Sequence, residues 1–216
     1  EGELLVSNDI HAEKDYAGKG GKILLTDTRQ AVEGALRGYM GEEKTEVTTL
    51  DKAPVSFTGR VWKFSDDIDT DIIIPTQHVS YPTMDEVQTH IFEPLRPELA
   101  ALIKPGDILV ASNNFGCGSS REQAAEVLAH AGIKAVVAKS FARIFFRNAI
   151  NNGLLLIECP DLPDKVTEGE ELTVHINRCI EHKGVEYAIP YLADNLYRLI
   201  TAGGLVKSVK KQNGVG

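Results

Sequence analysis

Residues 113–125, NNFGCGSSREQAA, hold the densest set of side chains in the chain that could do chemistry. Two glycines flank Cys117, and Ser119, Ser120 and Arg121 follow, directly ahead of an alanine-rich run with helical periodicity. The stretch lacks the glycine spacing and the Gly-Lys-Ser/Thr ending of a P-loop, and it lacks the third glycine of a GxGxxG motif. Phosphate and dinucleotide loops are therefore disfavoured. A reactive cysteine, a plain helix start and one half of an active site remain open.

Each of the three has a physical basis. A helix N-terminus lowers the pKa of a cysteine thiol, although no histidine lies near Cys117 in the sequence to act as its base. Ser119 and Glu122 have the spacing of a capping box, which predicts Ser119 as the N-cap residue of the following helix. The backbone N–H groups of such a helix start would also stabilise negative charge on the serine oxygen or on a bound carboxylate. Arg121 adds a guanidinium fork that suits a carboxylate. The cap and an anion site with a hydroxyl at its centre are compatible.

The free energy available from this loop is too small to make Ser119 a base without help. A helix terminus contributes at most ~2 kcal/mol, or about 1.5 pKa units. A serine hydroxyl is a far weaker acid than any side chain that titrates near neutral pH. The six histidines are scattered, with no HxxxH or HxH pair that would indicate a metal site. We therefore expect the missing half of the site to lie on another chain.

The composition disfavours several other classes of protein. The chain has 23 Lys and Arg against 31 Asp and Glu, a net charge of -8, whereas nucleic-acid binding normally requires a basic surface. Its apolar runs are much shorter than the ~20 residues of a membrane span. Its three cysteines fit neither a disulfide framework nor a CxxC metal motif, and the acidic N-terminal stretch does not resemble a targeting peptide. These features favour a reducing compartment, and we expect a cytoplasmic protein.

The elements around the loop predict a parallel sheet. Strand-like runs at 107–112, 133–140 and 154–158 alternate with helical patterns at 120–132 and 141–153. Strands without polar alternation between amphipathic helices are typical of a buried parallel sheet, and ligands of α/β proteins bind at the carboxyl edge of such sheets. The loop at 113–122 should lie at that edge. The predicted apolar helix faces are Ala124, Val127, Leu128 and Ala131 in the first helix, and Phe141, Ile144, Phe145 and Ala149 in the second.

The remaining segments are predicted from shorter signals. VSFTGRVWKF indicates a strand, and Thr83 with Glu86 forms a capping box that should open a helix ending before Pro94. Residues 171–190 predict a hairpin that turns near Lys183, LADNLYRLITAGG predicts a final helix, and KSVKKQ predicts a solvated tail. Residues 1–50 read as an N-terminal extension or linker, with a strand at GGKILLTD and a helix at TRQAVEGALRGYM. The main domain should cover 51–216.

Three segments together resemble a known family. DIDTDIIIP, KPGDILVASNNFGCGSSRE and GIKAVVAKSFARIFFRNAINNGL occur in the order and spacing found in the aconitase superfamily. The resemblance, over about residues 56–205, is to the small subunits of 3-isopropylmalate dehydratase and archaeal-type homoaconitase. It implies an α/β fold, a swivelling β/β/α domain with a partly parallel central sheet, paired with a large subunit that carries a [4Fe-4S] cluster. It also implies dehydration and rehydration of a 2-hydroxy, malate-type acid.

The same resemblance implies roles for individual residues. Ser119 would be the base that removes the proton next to a carboxylate, and Asp71 an active-site acid, although a plain turn carboxylate is the alternative for Asp71. Ser120 and Arg121 would bind carboxylates of the substrate. The cluster would supply the Lewis acid that activates the leaving hydroxyl. The residues expected to meet the variable group of the substrate follow DIIIP: His78, Val79 and Ser80.

Two positions depart from the family pattern. Gln123 stands where relatives usually have histidine, which puts any polar role of that position in doubt. Ser80 offers neither the arginine expected for an extra carboxylate nor an apolar side chain. We therefore expect the small subunit of a hydro-lyase that acts on an alkylmalate and is active only with its large subunit. The alternatives are a homoaconitase or dimethylmalate-type dehydratase and, from another class, a non-catalytic regulatory or RNA-binding relative.

Overall fold

The structure is a computed structural model, and it describes residues 4–7, 22–25 and 56–213. The chain divides into two units, Glu1–Asp51 and Lys52–Gly216. In the first unit, strands β1 (Leu4–Ser7) and β2 (Lys22–Leu25) pair in parallel. The strand predicted in GGKILLTD is therefore confirmed, whereas the helix predicted in TRQAVEGALRGYM lies outside the described residues. The role of residues 1–50 stays a prediction.

The second unit contains seven strands and seven α-helices among its described residues. The strands are β3 (Ser56–Lys63), β4 (Ile108–Ala111), β5 (Ala135–Ala138), β6 (Leu155–Glu158), β7 (Glu171–His175), β8 (Cys179–His182) and β9 (Val185–Ala188). The helices are α1 (Thr70–Ile73), α2 (Met84–Gln88), α3 (Leu99–Leu102), α4 (Gln123–His130), α5 (Arg143–Asn151), α6 (Asp194–Ala202) and α7 (Leu205–Gln212). Short 3-10 turns lie at Thr76–His78 and Pro163–Lys165. In the part of the chain that is described, no helix combines the length and the apolar character needed to cross a membrane.

The seven strands form one sheet in the order β6-β5-β4-β3-β7-β8-β9. Strands β3 to β6 are parallel; the crossover from β3 to β4 contains α1 to α3, and the next two contain α4 and α5. Strand β3 also pairs antiparallel with β7, which continues into the antiparallel strands β8 and β9. This arrangement confirms the expected α/β class with a partly parallel central sheet. Strand β3 joins the two halves.

The core lies on both faces of the parallel half. Successive side chains of a strand point to opposite faces, so Leu109 and Val136 belong to one apolar cluster while Val110 and Val137 belong to the other. All four residues of β4 and all four of β5 are buried. Because both faces are covered, these strands need no polar positions, which is why they read as continuous apolar runs.

The apolar face predicted for α4 is largely confirmed, and the face predicted for α5 is partly wrong. Ala124, Val127 and Leu128 are fully buried. In α5, Ile144 is 52% exposed, whereas Phe145 is 2% exposed and Ala149 fully buried. The prediction counted helical periodicity from residue 141, but the helix begins at residue 143. The buried stripe of the helix includes residue 150 and does not include residue 144.

The predictions made from short sequence patterns had different outcomes. The capping box is confirmed, since the Glu86 N–H donates to Thr83 Oγ1 at 3.3 Å and the Thr83 N–H donates to Glu86 Oε2 at 3.3 Å. The turn near Lys183 is confirmed between β8 and β9, although β7 adds a third strand. The prediction that KSVKKQ is solvated is confirmed for Lys207, Lys210 and Lys211, which are exposed, but the segment also belongs to helix α7, which was not predicted. A Cβ at Gly204 would lie 2.5 Å from the Asn151 carbonyl oxygen, so the chain passes close to the end of α5 immediately before α7 begins.

Candidate active site

The loop after β4 and the segment after β3 run side by side at the carboxyl edge of the sheet. Their strands are parallel neighbours, so both segments leave the sheet at the same edge. Three backbone hydrogen bonds hold the segments together: Asp67 N–H to Asn113 O at 2.9 Å, Gly116 N–H to Ile68 O at 2.7 Å, and Thr70 N–H to Cys117 O at 2.9 Å. The DIDTD and GCGSSR sequences are thereby brought into direct contact.

The two glycines around Cys117 allow this close approach. Gly116 has a φ of +79°, and a Cβ there would lie 2.1 Å from Cγ of Phe145. Gly118 has a φ of +87°, and its Cβ would lie 3.3 Å from Cβ of Asp69. Backbone in the left-handed region with so little space favours glycine. The glycines therefore serve the packing of the loop against α5 and against the segment after β3.

Cys117 does not have the environment of a reactive thiol. Burial raises the pKa of the Cys117 thiol, and the carboxylates of Asp69 and Asp67 raise this pKa further. Helix α4 begins only at Gln123, so its N-terminus is not adjacent to the sulfur. The thiolate is the nucleophilic form of cysteine, and this site disfavours it. The reactive-cysteine alternative is therefore not supported.

Ser119 is not a helix cap, and the predicted capping box is wrong. The N-cap position of α4 is Glu122, which makes no side-chain capping hydrogen bond. Ser119 is held by Thr70 instead: its N–H donates to Thr70 Oγ1 at 3.2 Å, and the two hydroxyl oxygens are 3.0 Å apart. These tertiary bonds fix the backbone of Ser119 outside the helix. Because a helix dipole acts mainly within the first turn, Ser119 gains little from α4.

Arg121 ties the loop to the segment after β3. Its Nη1 donates to Asp71 Oδ1 at 2.9 Å and to the Ile74 carbonyl oxygen at 2.8 Å, and its Nη2 donates to Thr76 Oγ1 at 2.7 Å. The side chain of Arg121 is only 12% exposed. Arg121 has no side-chain partner three or four residues downstream, so its partners could not be read from helical spacing.

Asp71 is the acidic partner in this arrangement. The Thr76 hydroxyl donates to Asp71 Oδ1 at 2.7 Å. This bond, together with the hydrogen bond from Arg121, lowers the pKa of Asp71. The ionised carboxylate is therefore the favoured form near neutral pH, and it accepts hydrogen bonds. The geometry suits a residue that orients Arg121 better than a residue that donates a proton.

Helix α5 supports the loop from the other side. Asn148 Nδ2 donates to the Ser120 carbonyl oxygen at 3.3 Å, and Asn152 Nδ2 donates to Glu122 Oε1 at 3.4 Å. The side chains of Ser119 and Ser120 remain exposed. Sequence reasoning missed Thr70, Thr76 and these asparagines. Only the position of Thr70 between two aspartates was a usable signal, because the asparagines lie on a helix distant in sequence from the loop.

The residues predicted to meet the variable group of the substrate lie on the next turn. The His78 ring is buried and stacks on His90 with ring centroids 3.6 Å apart, and its Nε2 lies 2.7 Å from Glu93 Oε2. Val79 is half-buried and Ser80 is exposed. Within the described residues, no hydrogen bond joins positions 78–80 to positions 119–121. The structure thus joins Asp71 directly to Arg121, on the loop that also carries Ser119 and Ser120. It places His78 in a packed cluster and leaves Ser80 exposed.

Comparison with known proteins agrees with this architecture. The family described as "Aconitase C-terminal domain" matches residues 43–162. The 3-isopropylmalate dehydratase small subunit of Lachnospira eligens is 60% identical over 159 residues, which cover 74% of this chain and 97% of that protein. The 3-isopropylmalate dehydratase small subunit 1 of Archaeoglobus fulgidus is 50% identical over 155 residues, which cover 70% of this chain and 96% of that protein. A crystal structure of 3-isopropylmalate dehydratase from Methanocaldococcus jannaschii superimposes with a TM-score of 0.69 at 38% identity, over 74% of this chain and 97% of that one. This chain therefore belongs to the aconitase superfamily, in the family of 3-isopropylmalate dehydratase small subunits.

Proposed function

We propose that this chain is the small subunit of a hydro-lyase that isomerises an alkylmalate, with 3-isopropylmalate as the substrate, and that it is active only with a large subunit. The observation that carries the proposal is that one loop at the carboxyl edge of the sheet holds both an exposed Ser119, whose hydroxyl contacts Thr70, and Arg121, whose guanidinium is anchored by Asp71. The names of the relatives support the choice of substrate. A cytoplasmic location fits the three free cysteines.

The side chains of this subunit would divide the work on the substrate. Ser119 Oγ, in its ionised alkoxide form, takes the proton from the carbon next to a carboxylate and becomes the neutral hydroxyl, and Ser120 binds a carboxylate through its exposed hydroxyl. The hydrogen bonds of Arg121 within the described residues leave its Nε–H and one Nη2 hydrogen without a partner. Those donors suit one carboxylate of the substrate, while the bonds to Asp71 and Thr76 keep the guanidinium in place.

The residues of this chain do not fit a [4Fe-4S] cluster. Such clusters are held by cysteine thiolates. Cys117 lies in the loop after β4, Cys159 follows β6 and Cys179 begins β8, and burial raises the pKa of each thiol. The one group of three potential metal ligands in the described part of the chain contains no thiolate: His78, His90 and Glu93. The proposal therefore assigns the cluster to the large subunit, where it would supply Lewis-acid activation of the leaving hydroxyl.

Reconstitution tests this proposal. The purified chain alone should contain no iron and should show no hydratase activity with an alkylmalate, because it holds the proton-transfer half of the site. Addition of the large subunit, with its cluster loaded, should produce activity in a complex that elutes as one species. Iron and sulfide analysis of the isolated chain and of the complex supplies the comparison. Stoichiometric iron–sulfur in the isolated chain, or an inactive loaded complex, would contradict the proposal.

Ser80 offers a test of the substrate class. This exposed residue leaves space for an alkyl group and provides no charge to pair with a third carboxylate. Burying an unpaired carboxylate costs several kcal/mol, so tricarboxylates should be poor substrates unless the large subunit pairs that charge. In the Ser80→Arg variant, we expect preference to move from an alkylmalate toward homocitrate-like acids by about tenfold or more, roughly 1.4 kcal/mol.

The measurement is kcat/KM for both substrate types in wild-type and variant complexes. Thr201→Arg is a matched control, because Thr201 is exposed on α6 and the change adds the same charge outside the proposed site. An unchanged ratio in Ser80→Arg would show that other residues set specificity. It would also remove the support that Ser80 gives to an alkylmalate over a homoaconitase substrate.

A further inference from the structure

Thr70 contacts Ser119 through three polar contacts of a single hydroxyl. The Ser119 N–H donates to Thr70 Oγ1 at 3.2 Å, and Thr70 Oγ1 lies 3.0 Å from Ser119 Oγ and 3.3 Å from the Ser119 carbonyl oxygen. Thr70 is 1% exposed. Its own N–H donates to the Cys117 carbonyl oxygen at 2.9 Å, so its backbone is fixed by the same loop. The hydroxyl is thus held at one place beside Ser119.

The hydrogens of the two hydroxyls can be arranged in two ways. A threonine hydroxyl has one hydrogen to donate and two lone pairs. One lone pair of Thr70 accepts the Ser119 N–H, so its hydrogen points either to the Ser119 carbonyl oxygen or to Ser119 Oγ. While Ser119 is neutral, its hydroxyl can donate to Thr70. If Ser119 Oγ carries negative charge, rotation of the Thr70 hydroxyl turns its hydrogen to that oxygen, in a stronger, charge-assisted bond.

Support of this kind matters because Ser119 lacks the help of a helix start. Helix α4 begins four residues further on, beyond the range over which a helix dipole acts strongly. Arg121 also approaches Thr70, since its Nη1 lies 3.5 Å from the Thr70 carbonyl oxygen. In the described part of the chain, Thr70 is the one side chain that hydrogen-bonds to Ser119 Oγ.

We propose that Thr70 is a positioning residue for Ser119: its hydroxyl holds the Ser119 side chain in one orientation and donates a hydrogen bond to Ser119 Oγ while that oxygen carries the negative charge of the base. Thr70 acts through Ser119 and does not bind the substrate. This inference rests on the proposed function, in which Ser119 is the base. In this inference, Thr70 transfers no proton itself, but its hydroxyl determines how effectively Ser119 does so.

Two substitutions separate the hydroxyl of Thr70 from its shape. Thr70→Val removes the hydroxyl and keeps the branched side chain, whereas Thr70→Ser keeps the hydroxyl. In the reconstituted complex, Thr70→Val should lower kcat by about 10- to 100-fold, at or below the usual effect of removing one hydrogen-bond donor to an oxyanion in an active site, because less of Ser119 would be in the ionised form. Its KM should stay within about twofold of wild type, since Arg121 and Ser120 are unchanged. Thr70→Ser should restore most of the lost kcat.

Thr58→Val is the matched control. The Thr58 hydroxyl shares a 2.8 Å hydrogen bond with Thr173 in the antiparallel half of the sheet, so Thr58→Val makes the same chemical change at an exposed position outside the proposed site and should leave kcat unchanged. Melting temperature and assembly are measured for every variant, and kcat is expressed per assembled complex. The inference would be overturned by a Thr70→Val complex with wild-type kcat, or by one in which KM rises as kcat falls. A Thr70→Ser complex whose kcat stays low would also overturn it. An inactive wild-type complex would contradict the proposed function instead.

Discussion

Replacement of Ser119 by alanine will lower turnover of the reconstituted complex by at least ~100-fold, the low end of general-base effects. The Ser119 side chain is exposed, and in the described structure its oxygen hydrogen-bonds only to the Thr70 hydroxyl, so it is available to a substrate. Because Ser119 does not cap α4, its loss should cost no more than the net value of one hydrogen bond, about 1 kcal/mol. Steady-state turnover and thermal unfolding of the same preparation provide the two measurements.

Ser65→Ala is the control for this variant. Ser65 is also exposed, and its hydroxyl makes one long hydrogen bond, 3.4 Å to the Asp66 carbonyl oxygen. Turnover of the Ser65→Ala complex should equal that of wild type. If the Ser119→Ala complex instead had near-normal turnover and a lower melting temperature, Ser119 would have a structural role only. The inference about Thr70 would then lose its basis as well.

Arg121→Lys will lower kcat/KM by at least ~10-fold, equivalent to about 1.4 kcal/mol, although the positive charge is retained. The guanidinium contacts Asp71, Ile74 and Thr76 at once. A lysine ammonium is a point charge that cannot make these bonds and also offer two parallel donors to a carboxylate. We expect most of the loss to appear in KM, because the missing fork contacts the substrate before and after proton transfer.

A companion variant separates the two tasks of Arg121. Asp71→Asn weakens the attachment of the guanidinium but leaves its fork intact, so it should raise KM less than Arg121→Lys does. Arg198→Lys, an exposed exchange on α6, controls for the substitution itself. Equal effects of Asp71→Asn and Arg121→Lys on KM would mean that Arg121 only holds the loop to the segment after β3 and does not bind the substrate. Unchanged kinetics in Arg121→Lys would remove Arg121 from the proposed binding site.

The parallel half of the sheet could be predicted from the sequence because burial on both faces leaves a direct local signal. Strands β4, β5 and β6 appear as short apolar runs, and α4 and α5 appear as patterns with helical period. The capping box at Thr83 is equally local, since its two partners are three residues apart. Predictions failed where the deciding contact came from a distant segment. The helix α7 was not predicted, and the close approach of Gly204 to α5 that precedes it leaves no signal within KSVKKQ.

The same division applies to the site. The sequence by itself determined the loop at 113–122, its location after a buried strand, its two glycines and the family it resembles. Only the tertiary structure decided that Ser119 is held by Thr70 and not by a helix N-terminus, and that Arg121 is anchored to Asp71 and Thr76. The physical reason is distance along the chain. A capping box and a helical ion pair are interactions between residues three or four apart, whereas Thr70 and Ser119 are 49 residues apart and meet only because β3 and β4 are parallel neighbours in the sheet.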